Sequence, residues 1–100
     1  MVNEITTGGA TPLHMAGMSR RGERATSLLI ERGGDINAID TYGFKPIHRM
    51  ASNNLAIGIE ALLSAGADPS SKTSHGETPW QIARSSRASD VMRVLTRYLK

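Results

Sequence analysis

Three histidines and two regularly spaced aspartates are the residues of this chain best suited to acid–base or metal chemistry. His14 lies in Thr11-Pro12-Leu13-His14-Met15-Ala16, His48 in Lys45-Pro46-Ile47-His48-Arg49-Met50, and His75 in Ser74-His75-Gly76. Asp35 and Asp68 stand 33 residues apart. A metal centre, or an acid–base pair, needs such groups to converge on one point. The spacing argues against convergence. His14 and His48 are 34 residues apart in segments that share a proline two places earlier. A third such segment, TPWQIA, carries Gln81 in the histidine's place. Side chains one structural unit apart lie about a helix diameter, roughly 10 Å, from each other, whereas a metal–nitrogen bond spans about 2 Å. A glutamine amide can replace a hydrogen-bond donor and acceptor, but it is a poor stand-in for a proton-transferring or metal-binding imidazole. The histidines are therefore expected to brace turns, with no catalytic residue, no metal and no cofactor. The chain has no cysteine, so thiolate zinc sites, disulfides and cysteine nucleophiles are excluded. It also lacks G-x-S-x-G, a phosphate-cradling G-x-x-x-x-G-K-[ST] and H-E-x-x-H.

The elements that hold these residues follow from a repeat. Pro12, Pro46 and Pro79 stand 34 and 33 residues apart, as do Gly9, Gly43 and Gly76. Leu29/Leu62, Gly33/Gly66 and Asp35/Asp68 are 33 apart, and Asn3/Asn37 are 34 apart. One register explains all of them, with one residue inserted between Ala16 and Gly33. Periods of this length belong to stacked-repeat architectures. The units run approximately 3–36, 37–69 and 70–100, within one domain over 1–100. Thr11-Pro12 and Thr78-Pro79 suit helix starts, because a threonine hydroxyl caps free N–H groups and proline fits the first turn. Lys45-Pro46 keeps only the proline. Each first helix should run about ten residues and turn Leu13 and Ala16, Ile47 and Met50, or Trp80 and Ala83 inward. Second helices should bury Ala25, Leu28 and Leu29, then Ile59, Leu62 and Leu63, then Val91, Val94, Leu95 and Tyr98. Ser89 is the expected cap of the last helix, and Arg93, Arg97 and Lys100 suit its C-terminal dipole. Gly33 and Gly66 are expected stops. The polar connectors should form arms that bend at Tyr42-Gly43 and His75-Gly76, with Asp35 and Asp68 bonding arm backbone.

TPLHMA matches the T-P-L-H-x-A signature of the ankyrin repeat at every fixed position. LIERGGDINAIDTYGFKP and LLSAGADPSSKTSHGETP resemble that family's inter-repeat stretch. The likeness runs from about Asn3 to Lys100. It implies an all-α solenoid of three stacked helix-turn-helix units, with β-hairpin or loop arms projecting beside a concave groove. Thr11, Pro12, His14, Pro46, His48, Thr78 and Pro79 then form the structural motif. Lys45, Gln81, Met50 and the extra residue near SRRGER depart from the pattern, and the inter-helix bend at SRRGER should be altered. The resemblance also marks Asn37 as a candidate for β-hydroxylation by an oxygen-dependent asparaginyl hydroxylase.

By the same resemblance the function is non-catalytic protein recognition, as adaptor, scaffold or inhibitor, including an immunity-type inhibitor that occludes a toxin or enzyme. Ile39, Thr41, Tyr42 and Phe44 fall at the family's variable, solvent-facing arm sites, and three of the four are large apolar or aromatic residues suited to an interface core. Lys72, Ser74, His75 and Glu77 are their polar counterparts in the third unit. Arg49, Ser52, Asn53, Ser85 and Ser86 should floor the groove, with Met18 and Ser19 beside the insertion. Tyr42 and Phe44 are the expected anchors, with Arg49 and Lys72 supplying positive charge.

The net charge of +3 and pI near 9.8 leave a weak nucleic-acid binder as the alternative class. Only SRRGER approaches a basic cluster, and the four aromatics are scattered. A protein partner is expected, without a small-molecule substrate, nucleic acid or membrane, for a chain that is a monomer on its own. Absence of an apolar span or signal-like start, together with the lack of cysteine, points to an intracellular protein, cytoplasmic or nuclear.

Overall fold

The computed structural model describes residues 9–99. Asn3 and Lys100, used above for the register and for the last helix, lie outside that range. Seven helices follow in order: α1 (Pro12–Ala16), α2 (Arg20–Glu23), α3 (Thr26–Glu31), α4 (Pro46–Ser52), α5 (Ala56–Ser64), α6 (Pro79–Ser85) and α7 (Ser89–Tyr98). Two layers result. In one, α1 packs on α4 and α4 on α6; in the other, α3 packs on α5 and α5 on α7. Each repeat joins the layers through α1–α3, α4–α5 or α6–α7 contacts. The core lies between them, with Leu13, Ile47, Met50, Leu55, Ile59, Leu62, Val91 and Leu95 at most 1% exposed. Full burial of one such side chain stabilises by about 1.5–3 kcal/mol.

Proline stands at the first turn of α1, α4 and α6, where its missing N–H is not needed. The cap chemistry differs between them. The Thr78 hydroxyl accepts from the Gln81 N–H at 3.2 Å, whereas the Thr11 hydroxyl lies 3.0 Å from His14 Nδ1. The helices after the arms stop as the glycines suggested. Gly66 has φ of +102°, and the Gly66 and Ala67 N–H groups donate to the carbonyls of Leu63 and Leu62 at 3.1 and 3.0 Å. This pattern closes the free carbonyls of α5 through a left-handed residue.

Several expectations are corrected. In the first repeat Leu28 is 47% exposed and Ala25 is also exposed, while Thr26 is fully buried. The inserted residue is the reason: Arg20–Glu23 fold into the separate helix α2 and reset the rotation of α3. Gly22 permits this, since a Cβ there would lie 3.1 Å from Ala16 Cα and from the Ala16 carbonyl oxygen. Tyr98 lies at the frayed end of α7 and is 41% exposed. Ser89 is the first residue of α7 rather than its cap. No strand occurs among the described residues. Each arm is a loop closed by one cross-arm bond, from Asp40 N–H to the Phe44 carbonyl at 2.9 Å and from Thr73 N–H to the Glu77 carbonyl at 2.8 Å.

Candidate partner-binding face

The site begins with a buried aspartate at the second arm. Asp40 Oδ1 accepts from the N–H groups of Tyr42 and Phe44 at 2.9 and 3.0 Å. Its Oδ2 accepts from Arg49 Nε and Nη2 at 3.1 and 2.8 Å. The Asp40 side chain is 1% exposed. Burial raises its pKa, but the Phe44 N–H, the Arg49 guanidinium and the Tyr42 N–H together outweigh that and hold it below 3.8. The arm tip is a turn from Asp40 to Gly43, closed by a Gly43 N–H to Asp40 carbonyl bond of 3.0 Å. Gly43 has φ of +80°, and a Cβ there would clash with Ser74 Oγ of the next arm. The turn and the neighbouring arm therefore both require glycine. Thr73 does the same work in the third arm, where its hydroxyl accepts from the His75 and Glu77 N–H groups at 3.1 and 3.3 Å.

Arg49 converts this turn into a surface. Its guanidinium carbon lies 4.4 Å from the Phe44 ring centroid and 5.6 Å from that of Tyr42, within cation–π range. Phe44 is half-buried and meets His48 edge-on at 5.9 Å. Tyr42 remains 65% exposed. A groove of about 590 Å³ opens here, lined by Thr41, Tyr42, Phe44, Arg49, Ser74, His75 and Glu77. Ile39 is exposed beyond that groove, as are Lys72, Ser52 and Asn53. The Asn53 amide serves the scaffold, donating to the carbonyls of Gly17 and Arg49 at 2.8 and 3.1 Å. The Arg49 charge is likewise engaged with Asp40, so it is not the unpaired positive charge expected from the sequence.

The histidines connect neighbouring units. His14 Nδ1 accepts from Thr11 N–H at 3.1 Å, and His48 Nδ1 from Lys45 N–H at 2.9 Å. Each acceptor role places the ring proton on Nε2, which donates to Phe44 O at 2.7 Å in one case and to Ser71 O at 2.8 Å in the other. Burial lowers the pKa of His48 below 6.5, which favours the neutral ring this bridge needs. Gln81 Oε1 accepts from Thr78 N–H at 2.9 Å in the same manner. No group of three or more metal-ligating side chains occurs among the described residues. Asp35 and Asp68 accept from the Asn37 and Ser70 N–H groups, each at 2.9 Å. The Ser70 N–H and hydroxyl hold Asp68 below its ordinary pKa. Asn37 itself is exposed in the turn from Asp35 to Ala38.

Sequence reasoning missed Asp40 and Met15. The signal for Asp40 was an Asp-x-x-Gly turn at the arm tip. Met15 is 52% exposed and, with Met18 at 53%, lines a second groove that adjoins Tyr42.

Paired helices stacked in register, braced by repeated histidines and carrying non-repeating side chains on one face, define a helical-repeat interaction module. The family model described as ankyrin repeats (many copies) matches residues 29–83, and that for the ankyrin repeat matches residues 8–41. The chain belongs to the ankyrin repeat family, whose members generally serve protein–protein interaction and are generally non-catalytic. It is 37% identical over 76 residues to the Ankyrin repeat and LEM domain-containing protein 1 homolog of Caenorhabditis elegans, covering 76% of this chain and 10% of that protein. With human B-cell lymphoma 3 protein it shares 35% identity over 119 residues, covering 85% of this chain and 26% of the relative. With human BCL-6 corepressor-like protein 1 the figures are 36% over 84 residues, 84% and 5%. The chain thus spans a quarter or less of the length of these relatives, to the nearest few per cent. No helix among the described residues is long and apolar enough to cross a membrane.

Proposed function

We propose that the chain is a non-catalytic recognition module that holds a partner protein on the concave face formed by its arms and first helices, acting as adaptor, scaffold or inhibitor. The observation that carries this reading is Tyr42, 65% exposed at the end of a fully bonded Asp40–Arg49 support. A large aromatic held in advance binds at little cost in conformational entropy, and such residues dominate interface energetics. Catalysis has no comparable support, because His14 and His48 have both ring nitrogens engaged in the scaffold. An inhibitor that occludes a toxin or enzyme is one form of this activity, set in the cell interior. Affinity capture from the native host tests it, with wild type and Tyr42→Ala as baits. Tyr42→Ala should fold normally and lose a specific subset of captured proteins. Equal capture by both baits would overturn the reading. Exposed Asn37 is proposed, on the family resemblance, as a hydroxylation site. Its peptide from native protein should then weigh one oxygen atom more.

A further inference from the structure

The groove beside the first repeat distinguishes between partner chemistries. It has a volume of about 220 Å³, and Met15, Met18, Tyr42 and Arg49 line it together with His14 and Asp40. Its solvent-reaching side chains are chiefly apolar, with Met15, Met18 and Tyr42 each more than half exposed. The repeat frame does not demand either methionine. The positions equivalent to Met15 are Arg49 and Ile82, and those equivalent to Met18 are Ser52 and Ser85. The charges in the groove are satisfied internally. Arg49 Nη2 and Asp40 Oδ2 lie 2.8 Å apart, and His14 uses both ring nitrogens on backbone groups. An acidic segment would find no unpaired cation among these side chains, although the chain as a whole carries +3.

Resting on the concave face as the binding surface, we propose that its occupant is an uncharged apolar segment of the partner protein, with an apolar side chain seated between Met15, Met18 and Tyr42. Two of the five Arg49 N–H groups bond Asp40, and the others donate to main-chain carbonyls of that segment. The thioethers are flexible and polarizable, so they adapt to aliphatic or aromatic shapes.

A displayed random-peptide library, selected on the immobilised protein at about 0.15 M and about 1 M salt, provides the test. Enriched peptides should carry Leu, Ile, Met, Phe or Trp without enrichment of Asp or Glu, and salt should change their retention little. Their addition should shift the methyl NMR signals of Met15 and Met18 but not that of buried Met50. The exposed double substitution Met15→Lys/Met18→Lys should reduce retention by roughly tenfold or more. Acidic peptides that wash off at high salt yet depend on Tyr42 would overturn this inference while leaving the concave face as the binding surface. Unchanged retention by the double variant would do the same. A library yielding no peptide sensitive to Tyr42→Ala would overturn the concave-face reading as well.

Discussion

Asp40 couples an arm turn to an inner helix through four hydrogen bonds, and its removal should be felt in both. Asp40→Asn keeps the size but places an N–H₂ group where an acceptor is required, either facing Arg49 or facing the two backbone N–H groups. Loss of a charged hydrogen bond from a buried pair costs about 1.5–3 kcal/mol, and urea denaturation should show a loss in that range. The pKa of Asp40 is held below 3.8 in the fold, so its contribution is full above the unfolded value. It is lost as pH falls below about 4 and through the folded value. The acid limb of a stability–pH curve should therefore shift in Asp40→Asn relative to wild type. Thr26 presents the opposite case. It is fully buried, its hydroxyl has no hydrogen-bond partner among the described atoms, and it occupies the place of Ile59 in the next repeat. Thr26→Val keeps the shape and removes the unsatisfied group. We expect a higher melting temperature, worth about 1 kcal/mol; a lower one would show that the hydroxyl has a partner.

The histidine bridges act between elements, tying the start of a helix to the following arm. His48 joins α4 to Ser71, and burial opposes its protonation. The carbonyl of Ser71 and the carboxylates Asp40 and Glu77 pull its pKa up, Lys45 pushes it down, and the balance lies below 6.5. The unfolded chain therefore binds a proton near pH 6.5 that the folded chain resists. This contribution to stability is full above 6.5 and declines as pH falls toward the folded value. The urea midpoint should drop between about pH 7.5 and about pH 5.5. His48→Gln, which copies the reach-back of Gln81, should flatten that drop; an identical slope in both proteins would refute the assignment. The first helix of each repeat was legible in the sequence because its signals are local: proline, cap position and the i, i+3 apolar pair. The outer helix of the first repeat was not. One inserted residue turned Leu28 out and Thr26 in, and periodicity over six residues cannot fix a rotation. The arm residues were legible as exposed positions, but Arg49 was read as a surface charge because nothing local connects it with Asp40.

At the scale of the whole molecule, the outer helices α5 and α7 receive their N-terminal caps from the preceding repeat. Their own cap positions hold Leu55 and Ala88, which offer no side-chain acceptor. Glu23 Oε2 accepts from Gly58 N–H at 3.0 Å, so a buried carboxylate of the first repeat stands at the start of α5. Asn54 Oδ1 accepts from the Asp90 and Val91 N–H groups at 3.1 and 3.2 Å, and its Nδ2 donates to Asp90 Oδ2 at 3.3 Å. Asn54 adopts φ of +55° to reach them, a conformation asparagine tolerates better than most residues. A search for caps along the chain therefore selected Ser89, because the true cap lies 36 residues upstream of Asp90. These bonds make folding of one repeat depend on its neighbour, in the manner of a one-dimensional chain of coupled units. Asn54→Ala removes the cap and adds left-handed strain, and should cost about 1–2 kcal/mol. Asn54→Gly removes the cap but not the backbone freedom, so the difference between the two variants isolates the strain. Hydrogen exchange gives the decisive measurement. If the cap couples repeats, the amides of Val94 and Leu95 in α7 should lose more protection in Asn54→Gly than those of Met50 and Ala51 in α4. Equal losses in both helices would mean that the stack opens as one unit and that Asn54 stabilises it globally.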